Sequence, residues 1–149
     1  MDRPTPHRAA HTPLDREDSL ASREERIVAG YLEGDEEIRL AFSAYTGSGL
    51  GRRVVGVTNR RFLLIRSRYW AVSDRGLLWT DPVDGIALGE RGGRPHTTEV
   101  GVGNAYVVVR RPNGLGVPLN PRSGFLGGWT SARATIAALY EAVPGRSAA

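Results

Sequence analysis

Residues 52–68 read RRVVGVTNRRFLLIRSR, and this stretch restricts the fold more than any other. Two apolar runs, residues 54–57 and 62–65, flank Thr58-Asn59-Arg60-Arg61. Each run is too short for a helix and rich in β-branched or bulky side chains. Asn59 suits the left-handed backbone of a tight turn, so the segment predicts a β-hairpin. In Phe62-Leu63-Leu64-Ile65 both strand faces are apolar, and Val54-Val55 repeats the pattern. One buried face is enough for a strand in a small sheet, so the second face calls for a cover. The same segment carries six arginines, Arg52, Arg53, Arg60, Arg61, Arg66 and Arg68, and no acid.

A helix is expected just upstream, within residues 18–34. Ser22 and Glu25 match a capping box, with Ser19 as an alternative start, and Gly34 is the natural stop. Leu20, Ile27, Val28, Tyr31 and Leu32 share one face of it, which makes this helix the nearest cover for the hairpin, with a second subunit as the alternative. Residues 38–45 alternate Ile38, Leu40 and Phe42 against Arg39, Ala41 and Ser43, the pattern of a half-buried strand. Further strands are expected at 76–80, 85–88, 97–103, 105–110 and 115–119. Asp81-Pro82 breaks the first two of these apart, and Pro112-Asn113-Gly114 turns into the last. A C-terminal helix follows, with Thr130 as N-cap and Trp129 in the staple position. Its apolar stripe is Ala132, Ile136, Leu139, Tyr140 and Val143, and Pro144 ends it. Residues 1–17 and 144–149 read as tails, leaving 35–143 as one mainly β domain.

Charge is divided unevenly along the chain. Residues 15–37 hold nine acids and three arginines, a net of −6, and residues 38–73 hold seven arginines and no acid, a net of +7. Such neighbouring blocks suggest complementarity within the chain at least as strongly as an external polyanion. All 20 positive side chains are arginine. GC-rich codon usage accounts for that choice without a binding role. The absence of cysteine excludes disulfides and thiolate metal sites. No apolar run reaches the roughly 18 residues of a membrane-spanning helix, and no secretory signal is evident. The expected location is the cytoplasm.

The acidic lead-in Gly34-Asp35-Glu36-Glu37-Ile38 and the hairpin Gly56-Val57-Thr58-Asn59-Arg60-Arg61 resemble motifs of the bacterial pleckstrin-homology-like (YokE-like or bPH) family, whose members show a "GDE" before the first strand and a "G-x-T-x-x-R" hairpin. The resemblance spans roughly residues 31–143. It implies a bent seven-stranded antiparallel barrel, capped by a C-terminal α-helix, here with an additional N-terminal amphipathic helix. It implies no activity, because this fold hosts lipid, peptide and protein binding alike.

The residues themselves bear on several binding and catalytic chemistries. Lipid-binding pleckstrin-homology domains hold inositol phosphates with basic residues around the first hairpin loop. Here Tyr45 and Thr46 stand where a basic strand end is needed, and alternation sends Arg52 and Arg53 to opposite faces. Gly47-Ser48-Gly49-Leu50-Gly51 is followed by a strand, whereas a phosphate loop needs a helix N-terminus. Arg66, Ser67, Arg68, Tyr69 and Trp70 interleave base with aromatics, as nucleic-acid stacking platforms do. His7, His11 and His96 are scattered and match no catalytic or metal-ligand spacing. The expectation is a non-enzymatic protein-interaction or self-associating module without cofactor or small-molecule substrate. Its candidate contacts are Ile27, Tyr31, Leu63, Ile65, Phe125 and Trp129. The alternative is a polyanion binder that meets an anionic membrane or nucleic acid through Arg52, Arg53, Arg60, Arg61, Arg66 and Arg68.

Overall fold

The computed structural model describes residues 21–46, 51–89, 106–121 and 131–144. The tails expected at 1–17 and beyond Pro144, the strand at 97–103, the three histidines, Phe125, Trp129 and Thr130 lie outside these residues.

The first helix, α1, is Arg23–Ala29, and its capping box is in place. The Ser22 hydroxyl accepts from the Glu25 amide at 3.0 Å, and the Ser22 amide donates to Glu25 Oε1 at 2.8 Å. With 7 residues α1 is too short to persist alone, so packing must hold it. Val28 is its fully buried side chain, and Ser43 Oγ of the sheet donates to Glu24 Oε2 at 2.5 Å. The expected stop at Gly34 is corrected: Gly30 is the C-cap. Beyond it the Tyr31 amide still reaches Val28 O at 2.9 Å, and Gly34, at φ 57, reverses the chain toward the sheet.

Seven strands follow among the described residues: β1 (Ile38–Thr46), β2 (Gly51–Thr58), β3 (Arg61–Arg66), β4 (Leu77–Pro82), β5 (Ala87–Gly89), β6 (Val107–Arg110) and β7 (Gly116–Pro121). They form one antiparallel sheet in the order β4-β3-β2-β1-β7-β6-β5. The second helix, α2, is Ser131–Ala142. In this order β1 lies beside β7, and the outer strands β4 and β5 share no ladder among the described residues. A 3₁₀ turn, Val83–Gly85, links those two edges in sequence. Arg111, in the β6–β7 turn, reaches back to β4. Its Nε donates to Asp81 Oδ2 at 2.7 Å, and its guanidinium lies 4.1 Å from the Trp79 ring centre. The expected separation of these two strands comes directly after Pro82: β4 runs on through Asp81 and ends at Pro82, on an outer strand where the missing N–H is tolerated.

The hairpin of β2 and β3 is buried on both faces. On one, Phe42, Val55, Val57, Phe62 and Leu64 join Leu119, Leu139 and Val143 in the main core, which α2 closes. On the other, Val54, Leu63 and Ile65 pack with Val28, flanked by Ile27, Tyr31, Ile38, Ala41 and Val72. The cover that the apolar pattern demands is therefore α1 of the same chain. Gly56 is the closest point of approach, since a Cβ there would lie 2.7 Å from both Val28 methyls. Asn59 does not adopt the left-handed conformation expected of it, because no described non-glycine residue has positive φ. Its amide and side-chain oxygen instead bond Glu37 O at 3.1 Å and the Glu37 amide at 2.9 Å.

Among the described residues no helix is long and apolar enough to cross a membrane.

The close approach at Gly56 sets a test of packing. Gly56→Ala is expected to destabilise the fold by about 1–3 kcal/mol through overpacking against Val28. Adding Val28→Ala should recover part of that loss, so a double-mutant cycle by urea denaturation should show non-additivity.

Candidate functional site: the arginine and aromatic loop between β3 and β4

The six hairpin arginines divide between the two ends of the sheet. Arg60 and Arg61 lie at the hairpin turn, where the acidic lead-in meets them. Arg61 Nε donates to Glu36 Oε2 at 2.9 Å and its Nη2 to Glu36 Oε1 at 2.8 Å, a bidentate pair. The same Nη2 donates to the Tyr31 carbonyl at 2.7 Å. The Glu36 side chain is 1% exposed, and Thr58 Oγ1 donates to its Oε2 at 2.6 Å. The Thr58 oxygen in turn accepts from the Arg60 and Arg61 amides at 2.9 and 2.8 Å, closing the turn. Hydrogen bonds from Arg61 first, and then from Thr58 and the chain, outweigh burial and hold the Glu36 carboxyl down to about 2. Arg60 pairs with Asp35 at the surface.

Each residue of the resemblance motif thus has a structural task. Gly56 admits the helix, Thr58 builds the turn, and Arg61 neutralises the buried acid. Arg61 is committed to the buried Glu36 carboxylate, and Arg60 stays largely exposed beside the exposed Asp35.

The other arginines sit at the opposite end of the strands. Register places Arg52 opposite Tyr45 and Arg53 opposite Arg66. Arg52 is 7% exposed. Its Nη2 donates to the Tyr45 hydroxyl at 3.0 Å, and its Nε is buried without a hydrogen-bond partner. Arg53 Nη1 donates to the Arg52 carbonyl at 3.1 Å. Burial, and then the facing Arg66 charge, disfavour the protonated form of Arg53. Like charges directly opposite on a sheet destabilise it. No described carboxylate forms a salt bridge with Arg52, Arg53, Arg66, Arg68 or Arg75.

The loop joining β3 to β4 is tightly bonded. The Arg66 amide donates to Gly76 O and the Arg75 amide to Arg66 O, both at 2.8 Å. Ser67 is buried; its amide donates to Arg52 O at 3.2 Å, and its hydroxyl oxygen accepts from the Ser73 amide at 3.0 Å. Ser73 Oγ accepts from the Arg68 amide at 3.1 Å. Asp74 Oδ1 accepts from the Gly76 amide at 2.9 Å, an Asx turn, and from the Tyr31 hydroxyl at 2.7 Å. Burial, followed by Asp74, pushes that hydroxyl up to about 12. The loop is fixed at its base and tied to the chain that leaves α1.

Between these anchors the loop surrounds an open concavity of about 530 Å³ lined by Arg66, Arg68, Tyr69, Trp70, Ala71 and Arg75. Trp70 is 87% exposed. Tyr69 meets it edge-on, with ring centres 4.7 Å apart, and leans edge-on against Tyr45 at 5.7 Å. Chemically the arrangement can receive an anionic group beside an apolar or planar one.

The candidate protein contacts lie elsewhere. Leu63 and Ile65 are fully buried beneath α1, so they build the fold and present no surface. Ile27 and Tyr31 are half-buried against the same cluster. Arg75 and Asp74 were not singled out from sequence. The available signal was Asp74-Arg75-Gly76, an Asx-turn pattern that starts four residues after Trp70 of the Arg-aromatic run.

Glu36 supplies a pH test. Its carboxyl titrates near 4.5 when free and about 2 in the fold. Ionised Glu36 therefore stabilises the fold fully above pH 4.5, and that contribution is lost as pH falls toward 2. Denaturation of wild type against Glu36→Gln should show a difference of roughly 3 kcal/mol at neutral pH that shrinks through this window.

No protein-family model matches this chain, and no match was found among curated proteins or among solved structures.

Proposed function

We propose that the chain is a non-enzymatic, pleckstrin-homology-like recognition module of the cytoplasm that binds a protein partner through the β3–β4 loop. The carrying observation is Trp70, 87% exposed at the centre of a loop whose base is fully hydrogen-bonded. An indole in water on a rigid support forfeits burial that a partner would supply. Tryptophan, tyrosine and arginine dominate the energetics of protein interfaces, and all three types converge here. A loop already folded also loses little entropy on binding. A seven-stranded antiparallel sheet with a helix over its core, and Arg111 of the β6–β7 turn paired with Asp81 of β4, support the reading of a PH-like fold.

A second reading shares the same face. Arg53, Arg66, Arg68 and Arg75, with which no described carboxylate pairs, favour a polyanion, either an anionic membrane or a nucleic acid, and such binding weakens steeply with salt. Self-association through Trp70 is a special case of the first reading.

The two readings separate by cross-linking of the full-length chain in lysate of its source organism. Trp70→Ala should abolish the dominant protein adduct, whereas Leu115→Ala, another exposed apolar position, should retain it. An adduct unchanged by Trp70→Ala, or retention on anionic vesicles that Trp70→Ala leaves intact, contradicts the proposal.

A further inference from the structure

We infer that the partner's contact is an acidic peptide segment, its carboxylates taken by Arg53, Arg66, Arg68 and Arg75 and its apolar side chain by Trp70 and Tyr69. This rests on the proposed recognition loop and adds the chemistry of what it recognises.

The first support is the cross-strand pair. Arg53 and Arg66 face one another across β2 and β3 with no carboxylate between them. Other described arginines of the sheet and its turns do have acids. Arg61 has Glu36, Arg60 has Asp35 and Arg111 has Asp81. At this end no described carboxylate pairs with an arginine, and Arg52 adds a further buried guanidinium beside Tyr45 whose Nε has no hydrogen-bond partner. An incoming carboxylate relieves the repulsion between two arginines as well as forming its own charge-assisted bonds.

The second support is the mixture of surfaces. Arg66, Arg68 and Arg75 share the concavity with Tyr69 and Trp70. A ligand that fills it offers negative charge and an apolar body within a few residues, which an acidic peptide with one or two large side chains does.

Single-stranded nucleic acid fits less well. It needs an extended cationic track to follow successive phosphates. The arginines that would extend such a track, Arg60, Arg61 and Arg111, are each held by a carboxylate.

The test uses the full-length chain and a short fluorescein-labelled peptide alternating glutamate and leucine, with a glutamine-for-glutamate version as the neutral probe. Anisotropy should show binding of the acidic peptide that weakens with salt, and no comparable binding of the neutral one. Arg66→Gln and Arg68→Gln should each weaken it by about tenfold. Unfolding curves of the variants should match wild type, and Arg39→Gln, at an exposed arginine of β1, should leave binding unchanged. Equal binding of both peptides overturns the acidic assignment while leaving the recognition loop standing. Loss of binding in Trp70→Ala with none in the arginine variants has the same meaning. If neither peptide binds and Trp70→Ala also changes no cross-linked adduct, the loop reading itself fails. Tighter, salt-sensitive retention of a single-stranded oligonucleotide or of anionic vesicles, lost in the same arginine variants, assigns the face to a polyanion and overturns the peptide.

Discussion

The buried pair of Glu36 and Arg61 is the interaction on which the rest of the molecule depends. A carboxylate that is almost wholly out of water survives there only because a guanidinium meets both of its oxygens and Thr58 adds a third donor. Those contacts join three parts of the chain: the exit from α1, the start of β1 and the β2–β3 turn. Arg61 also holds the Tyr31 carbonyl, while the Tyr31 hydroxyl, at the other end of the same residue, holds Asp74 in the distant loop. Helix placement and loop placement are therefore coupled through one tyrosine. α1 in turn seals the second apolar face of the hairpin, which explains why so short a helix is retained.

Charge distribution follows from the same lock. The acidic block preceding β1 is spent on the hairpin turn, through Glu36 with Arg61 and Asp35 with Arg60. Nothing comparable serves the opposite end, where Arg53 faces Arg66 and the loop adds Arg68 and Arg75. The arginine-rich hairpin thus has, among the described residues, one end met by carboxylates and one that is not. Exposed aromatic rings sit at the end that keeps its charge, which turns a compositional feature into a local one.

Much of the fold was legible in sequence because it rests on short-range patterns. The Ser22–Glu25 capping box and the two-sided apolar hairpin each report a local requirement, and each appears in the structure. The alternation of β1 holds only for Leu40 and Phe42, because an irregularity after Ile38 puts that residue with Ala41 in the cluster under α1, and Ser43 is buried. Intramolecular pairing of the arginines was visible as block charge. Its partners were not, because Glu36 and Arg61 are 25 residues apart and only the register brings them together. The end of α1 was misread for a related reason: Gly34 looks like a stop, but the chain turns at Gly30 so that Glu36 can reach the hairpin. Asn59 likewise looked like a left-handed turn residue, whereas the Thr58 side chain satisfies the turn amides without it. The recognition loop was half legible. Its aromatics and Arg68 stand out in sequence, but Arg75 joins them only because the Ser67, Ser73 and Asp74 hydrogen bonds fold the loop back on itself.

The central claim is that the fold presents a preformed loop, held from α1 through Tyr31. Amide hydrogen exchange at Ser73, Arg75 and Gly76 of the unliganded chain measures this directly. Those amides should be protected well beyond an open loop, and Tyr31→Phe should raise their exchange while leaving β2 and β3 protected. Exchange at the rate of an unstructured peptide in the wild-type chain would contradict the account.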